Sequence, residues 1–97
     1  MSSFSEIINQ DKIVLVDFFA TWCGPCKTMN PILKQLKDTL GEKVSIIKID
    51  VDKNQNLALK YQVKGVPTLM IFKKGKQIWR ESGVFQKEQL VQIINNS

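Results

Sequence analysis

Two cysteines, Cys23 and Cys26, are the residues of this chain best suited to covalent chemistry. They stand three positions apart, and on one helical turn this spacing places the Cβ atoms about 5–6 Å apart or somewhat closer. A disulfide needs a Cβ separation of about 3.5–4.5 Å, so a small local adjustment lets the bond form and break. The pair therefore indicates reversible thiol–disulfide exchange within a fold that stays intact.

Two other roles for the pair stay open at this level. A structural disulfide is one, although the loop-entropy model gives about 2 kcal/mol for so short a ring, against about 4.7 kcal/mol for a 100-residue loop. Half of a thiolate metal site, completed by a second chain, is the other. Pro25 stiffens the loop against that role, and the chain has no further cysteine and no histidine. The absence of histidine also excludes Ser-His-Asp and Cys-His nucleophile systems.

The position of the pair supplies a reason for its reactivity. Pro25 is a residue favoured in the first turn of a helix, so the helix begins close to Cys23. A helix N-terminus presents unpaired N–H groups and about half a positive charge, and this field stabilises a thiolate relative to a thiol. We therefore expect Cys23 to ionise more readily than a free cysteine and to attack a partner's disulfide. Cys26, one turn inside the helix and more shielded, then resolves the mixed disulfide.

Helical and extended patterns alternate along the chain and predict an α/β fold. The order is a helix over 3–10, a strand over 13–19, a helix over 25–40, a strand over 44–51, a helix over 54–61, strands over 68–72 and 77–82, and a helix over 87–95. Gly41 is placed to end the second helix, and residues 73–76 fit a hairpin loop with a glycine. We expect one mixed sheet with helices on both faces, and a single domain over residues 1–97.

Composition and charge limit the kinds of partner and the cellular location that we expect for this protein. The net charge is +5, but the fourteen Lys and Arg residues are spread along the chain, so we do not expect nucleic-acid binding. The longest apolar run, over 13–20, is too short for a membrane span and contains Asp17. The first six residues show no pattern of a secretion signal. A cytoplasmic location is the resulting expectation.

The segment from Val16 to Lys27 resembles the active-site region of the thioredoxin family. It contains Trp-Cys-Gly-Pro-Cys-Lys directly after an apolar strand that carries one aspartate. The resemblance continues through Lys48, residues 65–68 and Gly83, and it covers nearly the whole chain. It implies a thioredoxin fold and an enzyme that reduces disulfides in client proteins. It also implies that no cofactor is bound and that a separate thioredoxin reductase restores the dithiol.

Two charged residues in the predicted strands have two interpretations each. Asp17 is either a carboxylate at a strand end that reaches water or, as the resemblance implies, a buried proton acceptor that helps Cys26 to attack. Lys48 either extends its ammonium group to solvent or, by resemblance, faces Asp17 and tunes it. Both residues are candidate catalytic groups.

The resemblance also implies a substrate-binding surface around the cysteines. Trp22 is expected to be a partly exposed lid, and the Val66 backbone is expected to pair with an extended client segment. Only about 5–6% of X–Pro bonds in folded proteins are cis, but the resemblance predicts a cis bond between Val66 and Pro67. The expected binding residues are Trp22, Gly24, Pro25, Val66, Pro67 and Gly83.

Three features depart from the family pattern. The chain starts at the helix that usually follows a first strand, so we expect about four strands, with 44–51 as an edge strand that is apolar on both faces. This edge makes either a monomer or a weak dimer the expected state. Phe19 stands where the family more often has tryptophan. Residues 84–86 give the last helix a weaker N-cap than usual.

Two rival functions remain beside the reductase. A binding or assembly module would use the same surface to hold clients, with the cysteine pair incidental to its role. An oxidant or isomerase would use the same two cysteines in an oxidising compartment, and its redox potential would distinguish it.

Overall fold

The computed structural model describes residues 3–97, and its first element confirms the predicted N-terminal helix. Helix α1 spans Phe4–Ile8 and begins with a capping box. The Ser3 hydroxyl accepts from the Glu6 N–H at 3.3 Å, and the Ser3 N–H donates to the Glu6 carboxylate at 3.2 Å. Residues 1 and 2, on which part of the expectation about a secretion signal was based, lie outside the described range.

Four strands form one mixed sheet in the order β2-β1-β3-β4. Strand β1 pairs parallel with β2 and antiparallel with β3, and β3 pairs antiparallel with β4. This confirms the predicted four-stranded sheet, in which β2 is an edge strand of the described sheet. The strands are β1 (Ile13–Phe19), β2 (Val44–Asp50), β3 (Thr68–Lys73) and β4 (Lys76–Ser82).

Helices cover both faces of the sheet, as the alternating pattern predicted. Helices α2 (Gly24–Leu40) and α4 (Lys87–Asn95) pack on one face, where they enclose the larger apolar core. Helix α1 and the short helix α3 (Gln55–Lys60) belong to the other face. Strand β1 lies between β2 and β3, and its first six residues are all buried. The segment that contains the two cysteines therefore follows directly after the most enclosed strand of the sheet.

Gly41 and Gly75 have positive φ angles at the positions where the sequence predicted the end of a helix and a hairpin turn. Gly41 follows the last residue of α2 with a φ of +55°. The β3–β4 hairpin turns through Lys74 and Gly75, whose φ angles are +53° and +82°. Two successive residues with positive φ match the twist of a tight hairpin. The sequence had assigned this conformation to the glycine alone.

Within residues 3–97, no helix is long and apolar enough to cross a membrane.

Replacement of Leu36 by alanine should test how much the core under α2 contributes to stability. Leu36 is fully buried in this core. We expect Leu36→Ala to lower the free energy of unfolding by about 2–5 kcal/mol, because it removes buried methyl groups and leaves a cavity. Leu59→Ala is the matched control, since Leu59 is 77% exposed, and its effect should stay within about 0.5 kcal/mol. Urea denaturation measures both, and equal losses would contradict the packing described.

Candidate active site

The two cysteines meet at the point where β1 gives way to α2. They form a disulfide with a Cα–Cα distance of 5.3 Å, and both are almost fully buried. Cys23 is the N-cap residue of α2, and its Sγ atom accepts a hydrogen bond from the Cys26 N–H at 3.1 Å. Pro25 occupies the first turn of the helix, as predicted. The sulfur of Cys23 thus takes the place of the oxygen that usually caps a helix.

This capping geometry favours negative charge on the Cys23 sulfur. The first N–H groups of a helix lack partners within the helix, and the dipole of α2 adds partial positive charge at the same end. Helix α2 is 17 residues long. After reduction, a Cys23 thiolate would therefore lie in a stabilising field, while Cys26 lies one turn further inside.

A segment from the loop before β3 approaches the same sulfur. The Val66–Pro67 peptide bond is cis, as the resemblance predicted. The Val66 carbonyl oxygen lies 3.6 Å from the Cys23 Sγ atom. Gly83 has a φ of +109°, a conformation that favours glycine, and its N–H donates to the Pro67 carbonyl at 3.0 Å. The structure thus places Val66 against the Cys23 sulfur and joins Gly83 to Pro67.

Trp22 is an exposed side chain beside the disulfide, as expected. It is 70% exposed, and its indole N–H donates to the Asp52 carboxylate at 2.9 Å. A small cavity of about 120 Å³ opens between Trp22 and Val66. Sequence reasoning missed Asp52, because it lies thirty positions from Trp22 and follows a strand with no motif of its own. Gly24, also predicted here, is exposed on the first turn of α2.

Asp17 is fully buried, so the interpretation in which it reaches water was wrong. Neither of its carboxylate oxygens has a hydrogen-bond partner among residues 3–97. Burial raises the pKa of Asp17 from 3.8 to about 6, and the positive charge of Lys48 opposes this rise in part. Asp17 lies on the sheet face covered by α2, since Leu15 two positions earlier belongs to that core. A buried carboxyl group with a raised pKa is suited to accept and release a proton near neutral pH.

Lys48 is beside Asp17 in the sheet but does not form an ion pair with it. The two residues are partners in the β1–β2 register. The side chain of Lys48 is exposed, its ammonium donates to the Asn30 side-chain oxygen, and it lies 4.8 Å from the centre of the Phe19 ring. Lys48 therefore reaches solvent and also stands opposite Asp17 in the sheet, while its tuning of Asp17 stays a prediction. Asn30 was missed by the sequence reasoning, although its position four residues after Cys26 is visible in the sequence.

The fold and the site define a class of α/β proteins that carry a reversible cysteine pair at a helix N-terminus. Comparison with known families agrees, because the thioredoxin family model matches residues 1–96. The chain belongs to the thioredoxin family.

Similar proteins come from plants, bacteria and yeast. The chain is 45% identical to the chloroplastic thioredoxin Y of Oryza sativa subsp. japonica over 97 residues, which cover 99% of this chain and 58% of that protein. It is 46% identical to the thioredoxin of Bacillus subtilis over 93 residues, covering 96% and 88%. The oxidised mitochondrial thioredoxin 3 of Saccharomyces cerevisiae superposes with a TM-score of 0.86 at 34% identity, covering 97% and 87%. The chain thus spans little more than half the length of the plant relative.

The buried carboxyl group of Asp17 should make stability depend on pH. A pKa of about 6 in the folded chain, against 3.8 when exposed, means that ionisation costs about 3 kcal/mol of folding free energy. Below pH 3.8 the carboxyl group is protonated in both the folded and the unfolded chain, so this cost is absent and stability is at its full value. That stability is lost as the pH rises through about 6, where Asp17 ionises in the folded chain. Asp17→Asn should therefore be more stable than the parent chain at pH 8, with the difference vanishing near pH 3.8.

Urea denaturation of the oxidised protein at pH 4 and pH 8 measures this effect. Asp11→Asn is the matched control, since Asp11 is exposed and its replacement should leave the pH dependence unchanged. A stability gain from Asp17→Asn that is equal at both pH values would contradict a raised pKa.

Proposed function

We propose that this chain is a protein-disulfide reductase that passes two electrons from the Cys23–Cys26 dithiol to disulfides in client proteins. The observation that carries the proposal is the bond between the Cys26 N–H and the Cys23 sulfur at the start of α2. It supports a nucleophilic thiolate at Cys23, and the disulfide itself supports Cys26 as the residue that resolves the adduct. Membership in the thioredoxin family supports the same activity.

The first step forms a mixed disulfide. In the reduced protein, the Cys23 thiolate attacks one sulfur of the client disulfide, the client S–S bond breaks, and one client sulfur leaves as a thiolate. The N–H groups at the start of α2 lower the energy of the attacking thiolate. Cys23 is the first nucleophile because it caps the helix, whereas Cys26 lies behind it.

The second step releases the client and forms the disulfide of the structure. The Cys26 thiol gives its proton to the Asp17 carboxylate, directly or through a water molecule. The Cys26 sulfur then attacks the Cys23 sulfur, the mixed disulfide breaks, and the client leaves as a second thiolate. The pKa of about 6 supports Asp17 as acceptor, because the group is ionised at neutral pH yet basic enough to take a proton. We assign to Lys48 the tuning of this carboxylate by its charge.

Client proteins would bind across the surface around the disulfide. The exposed indole ring of Trp22 and the apolar cavity next to Val66 support contacts with a client side chain. The Val66 backbone, beside the Cys23 sulfur, is our candidate for pairing with an extended client segment. Gly24, Pro25, Pro67 and Gly83 complete this proposed binding surface.

We also propose how the dithiol is restored, where in the cell the chain acts and how many copies assemble. The chain needs no bound cofactor, and a separate thioredoxin reductase restores the dithiol. A cytoplasmic location suits a reductant, since thiols there are kept reduced. Residues 1–97 act as one domain, as a monomer or a weak dimer through the edge strand β2, which sedimentation from micromolar to millimolar concentration tests.

The redox potential distinguishes a reductant from an oxidant or isomerase. We expect the Cys23–Cys26 couple to lie below the cytosolic glutathione poise of about −220 to −260 mV. Equilibration of the protein with defined glutathione mixtures measures this potential. A value well above that range would reverse the proposed direction of electron flow.

Separate replacement of the two cysteines tests the order of the two steps. Cys23→Ser should abolish disulfide reduction, because it removes the attacking sulfur. Cys26→Ser should still attack but not resolve, so it should accumulate a covalent adduct with a client disulfide. Turnover with a disulfide-bonded protein substrate and mass spectrometry of the adducts measure the two results.

Client binding by Cys23→Ser distinguishes the enzyme from a binding module. Loss of turnover with binding retained supports the reductase. A biological activity that is unchanged in Cys23→Ser would show that the chain works as a module and would overturn the proposal. An adduct on Cys26 in Cys23→Ser at the rate of the parent chain would overturn the assignment of the nucleophile.

A further inference from the structure

A hydrogen bond to the Asn30 side chain holds the Lys48 ammonium near the active site. Lys48 donates to the side-chain oxygen of Asn30 on α2, so this hydrogen bond joins strand β2 to the helix that carries the cysteines. The ammonium also lies 4.8 Å from the centre of the Phe19 ring, within reach of a cation–π interaction. Both contacts are made by the end of a long side chain that is otherwise exposed.

Asn30 lies on helix α2 near both Cys26 and Lys48. It stands four residues after Cys26, and residues four apart are neighbours on one face of a helix. A cavity of about 220 Å³ is lined by both Cys26 and Asn30. A second cavity, of about 300 Å³, is lined by both Asn30 and Lys48. Asn30 therefore lines two cavities, one together with Cys26 and the other together with Lys48.

The geometry points to Asn30 as a positioning residue that anchors the Lys48 ammonium beside the strand that carries Asp17. Without this anchor, the ammonium spends more time in solvent and acts more weakly on the Asp17 carboxylate. The inference rests on the proposed function, in which Asp17 takes the proton of Cys26. It adds to that function a residue that acts through Lys48 rather than on the reacting sulfurs.

Lys48 is the one basic residue whose charge acts on Asp17 among the described neighbours. On β3, the residue paired with Asp17 is the apolar Leu69. The first turn of α2 adds the exposed Lys27, while Cys26 is held in the disulfide. Burial raises the pKa of Asp17, and the charge of Lys48 lowers it. Movement of the Lys48 ammonium should therefore appear directly in the titration of Asp17.

A double-mutant cycle tests whether Asn30 acts through Lys48. The side-chain carboxyl carbon of Asp17 is titrated by ¹³C NMR in the oxidised protein, in the parent chain, Asn30→Ala, Lys48→Met and the double variant. We expect the Asp17 midpoint to move to higher pH in Asn30→Ala and further in Lys48→Met. The double variant should titrate like Lys48→Met alone, because the anchor has no effect once the ammonium is absent.

Thr28→Ala is the matched control, because Thr28 is an exposed residue of α2 whose hydroxyl bonds only within the helix, to the Gly24 carbonyl. It should leave the Asp17 midpoint unchanged. The inference is overturned if Asn30→Ala leaves the midpoint unchanged, or shifts it equally with and without Lys48. It is also overturned if Thr28→Ala gives the same shift, which would indicate a general loosening of α2.

The reduced protein gives a kinetic readout that separates this inference from the proposed function. Stopped-flow reaction with 5,5′-dithiobis(2-nitrobenzoate) shows a second release of thionitrobenzoate when Cys26 resolves the adduct on Cys23. The pH midpoint of this second phase should rise in Asn30→Ala in parallel with the NMR midpoint. If Asp17→Asn leaves the second phase unchanged, the acceptor role of Asp17 fails, whereas the NMR cycle still decides the role of Asn30.

Discussion

The active site depends on a sulfur atom that occupies the capping position of a long helix. Cys23 ends the segment after β1 and accepts the Cys26 N–H, so the contact satisfies a free backbone donor next to the disulfide that joins the two cysteines. A serine or aspartate is the usual residue at such a position, because an oxygen caps more strongly. Cysteine gives up part of that stabilisation and gains a nucleophile in a positive field.

A second constraint is the burial of charge beneath the site. Within the described part of the chain, the Asp17 side chain has no hydrogen-bond partner, and an ionised carboxylate in such surroundings destabilises the fold. The sheet tolerates it because β1 is held on both sides by β2 and β3 and covered by a large apolar core. Lys48 offsets part of the cost from a distance rather than through an ion pair, which leaves the carboxyl group free to exchange a proton.

Much of the fold follows from the sequence, and the reasons are local. Apolar periodicity predicted each helix and strand to within about two residues at its ends, and Gly41 and Gly75 lie where positive φ is needed. The cysteine pair and its helix could be predicted for the same reason, since proline and spacing act over one turn. Lys74 also has a positive φ, but its residue type does not indicate that conformation.

The parts of the site that sequence could not predict depend on contacts between distant segments. The cis bond before Pro67 came from family resemblance, since residue types alone favour trans. The partners of Trp22 and Lys48 are set by the register of β2 and the rotation of α2. The burial of Asp17 was undecided for a similar reason, because a charge near a strand end is covered or exposed only once a helix packs above it.

The rate of alkylation of Cys23 as a function of pH measures whether the start of α2 stabilises its thiolate. The reduced protein is treated with a small excess of iodoacetamide, the modified cysteine is identified by mass spectrometry, and an unstructured peptide with one cysteine serves as reference. We expect Cys23 to react first and its rate to reach half of its plateau at a lower pH than that of the peptide. An equal or higher midpoint would contradict stabilisation of the thiolate by the helix.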